Sequence, residues 1–264
     1  MHKRGQVTIF VILGILIVMI LALVFYLYGN KLKIETNKQP TFDASQVEPL
    51  KNYIEDCINI KGQDALNLVG KQGGLINPVQ YQNWNCKAPN DCDHVSYLCY
   101  TTEYAACYNK RPFLAQTTEE EINSYLTKEL PQCINLQKIR DVGFNIQTGT
   151  LKVSTSIGDQ ATIINLDYPI TITKGDTLLK EDRFSKTFNV PLGKLLSASH
   201  DIVQQSIDNS QGVVYYEGDL IRQYGGNLEV NRHTYQKTQI YVTKIRNNPY
   251  IFQFAIQNYV VPFP

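Results

Sequence analysis

Apolar and polar residues follow three different patterns along this chain. A continuous apolar run covers residues 7–28. Apolar residues then recur every three or four positions in residues 45–70 and 118–133, which predicts amphipathic helices. From residue 142 onward the alternation mostly has a period of two, which is typical of β-strands. These patterns predict an α+β protein, with an N-terminal transmembrane helix and an ectodomain in which helices pack on an antiparallel β-sheet.

The apolar run from Val7 to Tyr28 is long enough to cross a bilayer as one helix, because about 22 residues rising ~1.5 Å each cover the ~30 Å hydrocarbon core. The alternative is a cleaved secretory signal peptide. That would have a shorter apolar stretch and a small-x-small cleavage motif, and the letters "FYLYGNKLKIE" that close the run and follow it contain no such motif. We therefore expect a retained transmembrane helix at 7–28.

The first ectodomain helix has two candidate start signals. Ser45 and Glu48 have the spacing of a capping box, and Pro49 suits the first helical position. Cys57 lies on the apolar face of this helix. The helix is expected to end at "GKQGG", residues 70–74, where glycine readily adopts the left-handed conformation.

Two further helices are predicted. Thr118 and Glu121 form another capping-box pattern, and the helix that they start carries Cys133 on its apolar face. Pro191 is expected to start the third helix. Residues 75–113 lack a clear period and are expected to be irregular.

The predicted organisation has five parts. Residues 1–6 are cytoplasmic and 7–28 span the membrane, whereas residues 29–44 form a polar stalk. The ectodomain follows, either as one domain or as a helical, cysteine-rich part at 45–137 and a β-rich part at 138–264. The expected strands lie in the segments "GFNIQTGTLKVSTSI", "ATIINLDYPITITKG", "DRFSKTFNV", "VVYYEG", "NLEVNRHTY", "KTQIYVTKI" and "YIFQFAIQNYVV", of which the last two are joined by the turn "RNNP".

Six cysteines follow the apolar run, and an even number of them suits disulfides in an oxidising compartment. Six cysteines allow fifteen connectivities, so the sequence gives preferences only. Two packed helices would bring together the two cysteines on their apolar faces, one loop can be closed by its own bridge, and one hairpin can be bridged across a turn near Glu103. The preferred pairs are Cys57 with Cys133, Cys86 with Cys92, and Cys99 with Cys107.

Zinc binding is the competing use of these cysteines. Closely spaced Cys-x2-Cys pairs are absent, since the four central cysteines are separated by five, six and seven residues, and His94 is the one histidine near them. We therefore expect no metal and no cofactor.

Charge leaves the orientation open, because basic residues lie on both sides of the apolar run. The cysteines favour a cytoplasmic N-terminus and an extracellular C-terminal domain, since a cytoplasmic domain would keep the thiols reduced. The 25 basic and 24 acidic side chains of the whole chain indicate no nucleic-acid partner. The expected partners are membrane lipid and other envelope or filament proteins.

No local motif indicates catalysis. "SASHD" contains Ser197, Ser199, His200 and Asp201, but neighbouring helical residues point about 100° apart and do not converge into a triad. "NDCDH" is a fragment of a calcium loop without its glycine and distal glutamate. We expect no catalytic residues from these motifs, although scattered carboxylates of the glycosidase kind leave no local pattern.

The stretch "KRGQVTIFVILGI" resembles the class III signal segments of archaeal type IV pilin-like proteins. The resemblance implies a cut between Gly5 and Gln6, with Lys3 and Arg4 as the basic residues before it. It covers about the first 28 residues, and the segment lacks the glutamate that the family carries soon after the cut. The arrangement as a whole also resembles single-pass membrane proteins of small archaea, which implies a topology and no activity.

Three hypotheses follow. The first is a membrane-anchored extracellular envelope protein with a binding or structural role. The second is a pilin-like or minor filament subunit processed between Gly5 and Gln6. The third is an anchored extracellular enzyme, which we favour less than the first because no local motif supports it.

Overall fold

The computed structural model describes Met19 and residues 49–88, 90–103, 105–141, 143–174, 177–208 and 217–258. The expected processing site and stalk lie outside the described residues, as does the expected membrane helix at 7–28 apart from Met19. No helix in the described ranges is both long enough and apolar enough to cross a membrane. The fold described here belongs to the compact unit that covers residues 42–264.

Within the described residues this unit contains five helices and ten strands. The helices are α1 (Pro49–Lys71), α2 (Leu114–Cys133), α3 (Gln137–Asp141), α4 (Leu192–Asp208) and α5 (Glu217–Gln223). The strands are β1 (Tyr81–Ala88), β2 (Asp91–Tyr100), β3 (Tyr108–Asn109), β4 (Asn145–Thr148), β5 (Lys152–Ile157), β6 (Thr162–Lys174), β7 (Thr177–Phe188), β8 (Leu228–Tyr235), β9 (Thr238–Ile245) and β10 (Ile251–Gln257). The predicted α+β class is confirmed.

The first sheet has the strand order β1-β2-β10-β9-β8, and β3 pairs with β2. Four of its pairings are antiparallel, but β2 and β10 run parallel. The expectation of a purely antiparallel sheet is therefore wrong for this pair. The parallel pairing joins residues such as Tyr97 and Ala255, which are 158 positions apart, and the alternation within each strand carries no information about such a partner.

The second sheet is antiparallel and is built around the long strand β6. On one edge of β6, strand β5 pairs with residues 162–167 and β4 pairs with residues 170–173, and β7 pairs along the other edge. Pro169 lies between the two short partners, and its carbonyl oxygen accepts a hydrogen bond of 2.7 Å from the backbone N–H of Gly149. A single long strand thus holds two short ones end to end.

Helix α1 contacts both sheets, with β2 and β10 of the first and β7 of the second. Two buried glycines permit this close approach. A Cβ atom at Gly62 would lie 2.5 Å from Cζ of Phe188 in the second sheet, and one at Gly70 would lie 2.6 Å from the carbonyl oxygen of Ile251 in the first. Since α1 packs against both sheets, it is the central element of the core.

The ends of the helices agree with the sequence predictions in most places. Helix α1 begins at Pro49, ends at Lys71, and is followed by Gly73 and Gly74 with positive φ angles of 70° and 87°. Helix α4 begins immediately after Pro191. Helix α1 therefore obeys its expected stop signal and α4 its expected start signal, whereas the capping-box residues Ser45 and Glu48 lie outside the described residues.

The predicted start of the second helix is wrong. Helix α2 begins at Leu114, four residues before Thr118. Thr118 is buried inside the helix, and its hydroxyl donates a hydrogen bond of 2.8 Å to the carbonyl oxygen of Leu114. A threonine can bond to its own helix in this way as readily as it can cap one, so the capping-box pattern is ambiguous.

The segment 75–113 is also more regular than expected, because it forms strands β1, β2 and β3. The strand expected in "VVYYEG" lies mostly outside the described residues. Its last two residues, Glu217 and Gly218, begin helix α5 instead of a strand.

Candidate functional site

All six cysteines form disulfide bonds, in the three pairs preferred from the sequence. The Cys57–Cys133 bond joins α1 to α2 with the Cα atoms 5.8 Å apart. Tyr53 strengthens the same junction, since its hydroxyl donates to the carbonyl oxygen of Cys133 and accepts from the N–H of Asn135, each at 2.8 Å. Burial is the largest cause that raises the pKa of Tyr53.

The other two bridges are local. Cys86–Cys92 closes the tip of the β1–β2 hairpin. Cys99–Cys107 links β2 to the residue before β3, and these two strands pair antiparallel as expected for a bridged hairpin. The proposed processing residues, Lys3, Arg4, Gly5 and Gln6, lie outside the described residues.

The "SASHD" residues lie on α4 and do not form a triad. Ser199 is buried and donates to the carbonyl oxygen of Leu195, whereas Ser197 and His200 are exposed. Asp201 accepts a hydrogen bond of 2.7 Å from the hydroxyl of Tyr224. Burial, followed by this bond and by the charge of Asp201, raises the pKa of Tyr224.

One of the two acidic residues of "NDCDH", Asp93, holds neighbouring elements together. Asp93 lies 3.6 Å from the ammonium of Lys71 at the end of α1 and accepts a 3.1 Å hydrogen bond from the Gln253 side chain. Asp91 is exposed at the hairpin tip. Among the described residues, no group of three or more His, Cys, Asp or Glu side chains is arranged to hold a metal ion.

Two carboxylates of the run "EEE" at residues 119–121 tie α2 to its neighbours. Glu119 accepts a hydrogen bond of 2.9 Å from the N–H of Ile157 at the end of β5. Glu121 accepts one of 2.9 Å from the N–H of Ile76, in the loop that follows α1. These two residues hold the helix against the second sheet and against the loop at 72–78.

A polar groove lies beside this contact. We call it the α2 groove; it has a volume of about 670 Å³. One wall is the loop at 72–78, with Gln72 and Asn77, and the other is one face of α2. Tyr81 of β1 and His94 of β2 also line the groove, and we call this side its floor. The size is typical of a small-molecule site.

The residues of the α2 wall lie on one face of the helix because of their spacing in the sequence. Its lining residues occur at intervals of three, one, three and one, which places them in a single stripe along the helix. The buried stripe of Ile122, Leu126 and Leu130 lies beside it and faces the core. The lining residues are Glu121, Ser124, Tyr125, Lys128 and Glu129.

The floor of the groove is a pair of stacked rings. Tyr81 is aligned with Ser96 and Asn83 with His94, so Tyr81 and His94 are diagonal neighbours on one face of the hairpin. Their ring centroids are 4.2 Å apart with an interplanar angle of 21°. Tyr81 remains 40% exposed despite this contact.

The electrostatics of the groove are nearly balanced. Glu129 lies 3.4 Å from the ammonium of Lys61, and Glu121 is engaged by the N–H of Ile76. Lys128 adds a positive charge to the exposed side of the wall. Burial is the first cause that raises the pKa of Tyr125, and the charges of Asp64 and Glu129 add to it.

The first sheet is strongly curled toward the face opposite the α2 groove. A small buried cluster of Val95, Tyr97, Ile240 and Ala255 lies on this face. In a flat sheet the edge strands β1 and β8 would be about 19 Å apart, since four spacings of ~4.8 Å separate them. The rings of Trp84 on β1 and His233 on β8 are nevertheless only 5.2 Å apart. The edge strands therefore approach each other over this cluster.

Sequence reasoning missed the α2 groove. The sequence patterns single out two of its lining residues for other reasons, His94 as the histidine near the central cysteines and Glu121 as part of a capping-box pattern. The polar stripe from Glu121 to Glu129 has a helical period and could have been recognised beside the apolar stripe. Tyr81 lies in the segment 75–113, which lacks a clear period and was expected to be irregular, so no pattern indicated that it would lie beside α2.

Comparison of the chain with protein-family models, with curated proteins and with solved structures gives no match.

Proposed function

We propose that this chain is a membrane-anchored envelope protein whose disulfide-braced domain lies outside the cell and has a binding role. The observation that carries the proposal is the pairing of all six cysteines in three disulfides. Structural disulfides persist in oxidising compartments and are rare where cellular reductants keep thiols reduced. The proposal thus connects the bridges of the domain to its location.

The apolar residues 7–28 support the anchor. They are followed by polar residues at 29–44, which would separate the domain from the lipid surface. A domain held in this way acts on partners or ligands at the cell surface, so an exposed binding site is its expected working part. The α2 groove is the candidate for that site.

The geometry of the groove favours binding over catalysis. A catalytic carboxylate must be able to approach a reacting atom. Glu121 is engaged by the N–H of Ile76 and Glu129 by Lys61, and both contacts hold neighbouring elements in place. Asn77, Ser124 and Lys128 add polar groups of the kind that orient a ligand.

Protease treatment of intact cells tests the location. Intact cells are first treated with a reductant, so that the disulfides of an extracellular domain are broken and the domain becomes sensitive to protease. The proposal predicts that trypsin added to these cells then removes the domain at 42–264. A cytoplasmic protein in the same cells should stay intact. Protection of the domain until the cells are lysed would contradict the outward orientation. Release of the full chain from membranes by high salt alone would contradict the anchor.

The "RGQ" motif favours one alternative, a pilin-like or minor filament subunit. In that case a peptidase removes the first five residues, and the mature chain begins at Gln6. The mass of the N-terminal peptide of the purified protein separates the two proposals. A peptide that begins at Gln6 supports the filament subunit, whereas one that begins at Met1 or His2 supports the retained anchor.

A further inference from the structure

The α2 groove combines an aromatic floor with polar walls. One face of Tyr81 is covered by the imidazole of His94, so the exposed 40% of this residue comes from its remaining surface. Asn77 and Ser124 are exposed on opposite walls. A ligand that fits must therefore offer an apolar flat side to the floor and hydrogen-bonding groups to the walls.

The charges of the groove disfavour strongly charged ligands. Two carboxylates, Glu121 and Glu129, would repel an anion, and both are already hydrogen-bonded. Lys128, together with Lys61 beside Glu129, offsets the attraction of these carboxylates for a cation. The groove also lies beside the C-terminal end of α1, where the helix dipole is negative and no anion is favoured. A neutral ligand rich in hydroxyl groups meets these conditions best.

The groove is formed before a ligand arrives. The Glu121 bond to Ile76 fixes the loop at 72–78, and the Gln253 side chain donates a 2.7 Å hydrogen bond to the carbonyl oxygen of Lys71 at the end of α1. The Cys86–Cys92 bridge closes the hairpin that carries Tyr81. A site held in this way needs little ordering on binding, which favours affinity.

We propose that the α2 groove binds a neutral carbohydrate, with the apolar face of a sugar ring against the surface of Tyr81 that His94 does not cover. Sugar hydroxyls then exchange hydrogen bonds with the side chains of Asn77 and Ser124. The proposal deepens the binding role proposed above. Its test uses purified protein, so the result does not depend on where the protein lies in the cell.

Saturation-transfer NMR of the full chain, in a detergent without sugar headgroups, measures binding directly. The probes are methyl glycosides of glucose, galactose, mannose and N-acetylglucosamine, together with their β-linked and α-linked disaccharides. We expect saturable binding of at least one probe. Glucose 6-phosphate should bind no more tightly than glucose, because the groove carries two carboxylates.

Three variants localise the binding. Tyr81→Ala removes the floor and should weaken the best probe about tenfold, whereas Tyr81→Phe keeps the ring and should change binding less than about threefold. Tyr235→Ala is the matched control, because Tyr235 is 46% exposed and does not line the groove. It should leave binding unchanged.

The same measurements can overturn the proposal. It is wrong if no probe binds saturably, if the phosphorylated sugar binds more tightly, or if Tyr81→Ala and Tyr235→Ala have equal effects. Thermal unfolding of each variant shows whether weaker binding results from the loss of the Tyr81 ring or from loss of the folded structure. If Tyr81→Ala does not fold, Ser124→Tyr replaces it, because the larger side chain fills the groove from the α2 wall. Binding that survives Ser124→Tyr unchanged would also place the sugar elsewhere.

Discussion

The long-range disulfide Cys57–Cys133 should contribute more stability than the short one at the hairpin tip. The perturbation is the double substitution Cys57→Ala/Cys133→Ala, and the matched control is Cys86→Ala/Cys92→Ala. The first bridge closes a loop with a sequence separation of 76, and the second closes one of 6. The loss of a cross-link increases the entropy of the unfolded chain, and the increase grows with loop length.

The magnitude follows from those separations. Loop-closure entropy gives about 4.5 kcal/mol for the Cys57–Cys133 bridge and about 2.2 kcal/mol for the Cys86–Cys92 bridge at 25 °C. Cys57 is fully buried and Cys133 is 4% exposed, so removing their sulfurs also leaves a cavity in the core. Cys86 is exposed at the hairpin tip, and its removal adds no such cost.

Urea-induced unfolding followed by circular dichroism measures both losses. We expect the free energy of unfolding to fall by at least about 2 kcal/mol more for the core pair than for the tip pair, because loop entropy alone gives that difference and the cavity adds to it. Such a loss is a large part of the ~5–15 kcal/mol that a typical domain has. Equal losses in the two double variants, or a larger loss at the tip, would refute the reasoning.

Three further predictions concern packing and pH. Gly70→Ala should lower the free energy of unfolding by about 1–3 kcal/mol in urea titrations, because its Cβ would lie 2.6 Å from a backbone oxygen; no loss would contradict the close packing of α1. Burial raises the pKa of Tyr250, whose hydroxyl donates to the carbonyl oxygen of Leu66, so folding favours the neutral phenol and stability should fall above pH 10. Tyr250→Phe should cost about 1–2 kcal/mol at neutral pH and make that alkaline fall shallower, and an unchanged slope would refute the assignment. The hydrogen bond and charge of Lys244 lower the pKa of Glu229, so the contribution of Glu229 to the free energy of unfolding is present above pH 4.5 and is lost as pH falls through the lowered pKa. Glu229→Gln should therefore make stability fall less steeply at acidic pH. An equally steep fall would count against the ion pair of Glu229 with Lys244.

Local features of the fold could be predicted from the sequence. The 23 residues of α1 carry a start signal at Pro49 and glycines after the last turn, and both act within a few residues. The Cys86–Cys92 bridge joins residues six apart, so a short loop suffices to bring the sulfurs together. The Cys57–Cys133 bridge followed from the apolar faces of two helices, which had to pack together.

Long-range features could not be predicted. The parallel pairing of β2 with β10 joins two strands that are far apart in the sequence, and the alternation within either strand does not specify its partner. The α2 groove has the same origin, because the β1–β2 hairpin, the loop at 72–78 and α2 meet only in the folded chain. A capping-box pattern at Thr118 even misled the prediction, since the buried hydroxyl bonds inside the helix.

The redox state of the cysteines in the native cell tests the central claim most directly. Cells are lysed in the presence of an alkylating reagent, and the protein is unfolded without reductant in the same reagent before peptide mass spectrometry. An outward-facing domain with three disulfides predicts that none of the six cysteines is alkylated. Six alkylated cysteines would contradict both the bridges and the extracellular location.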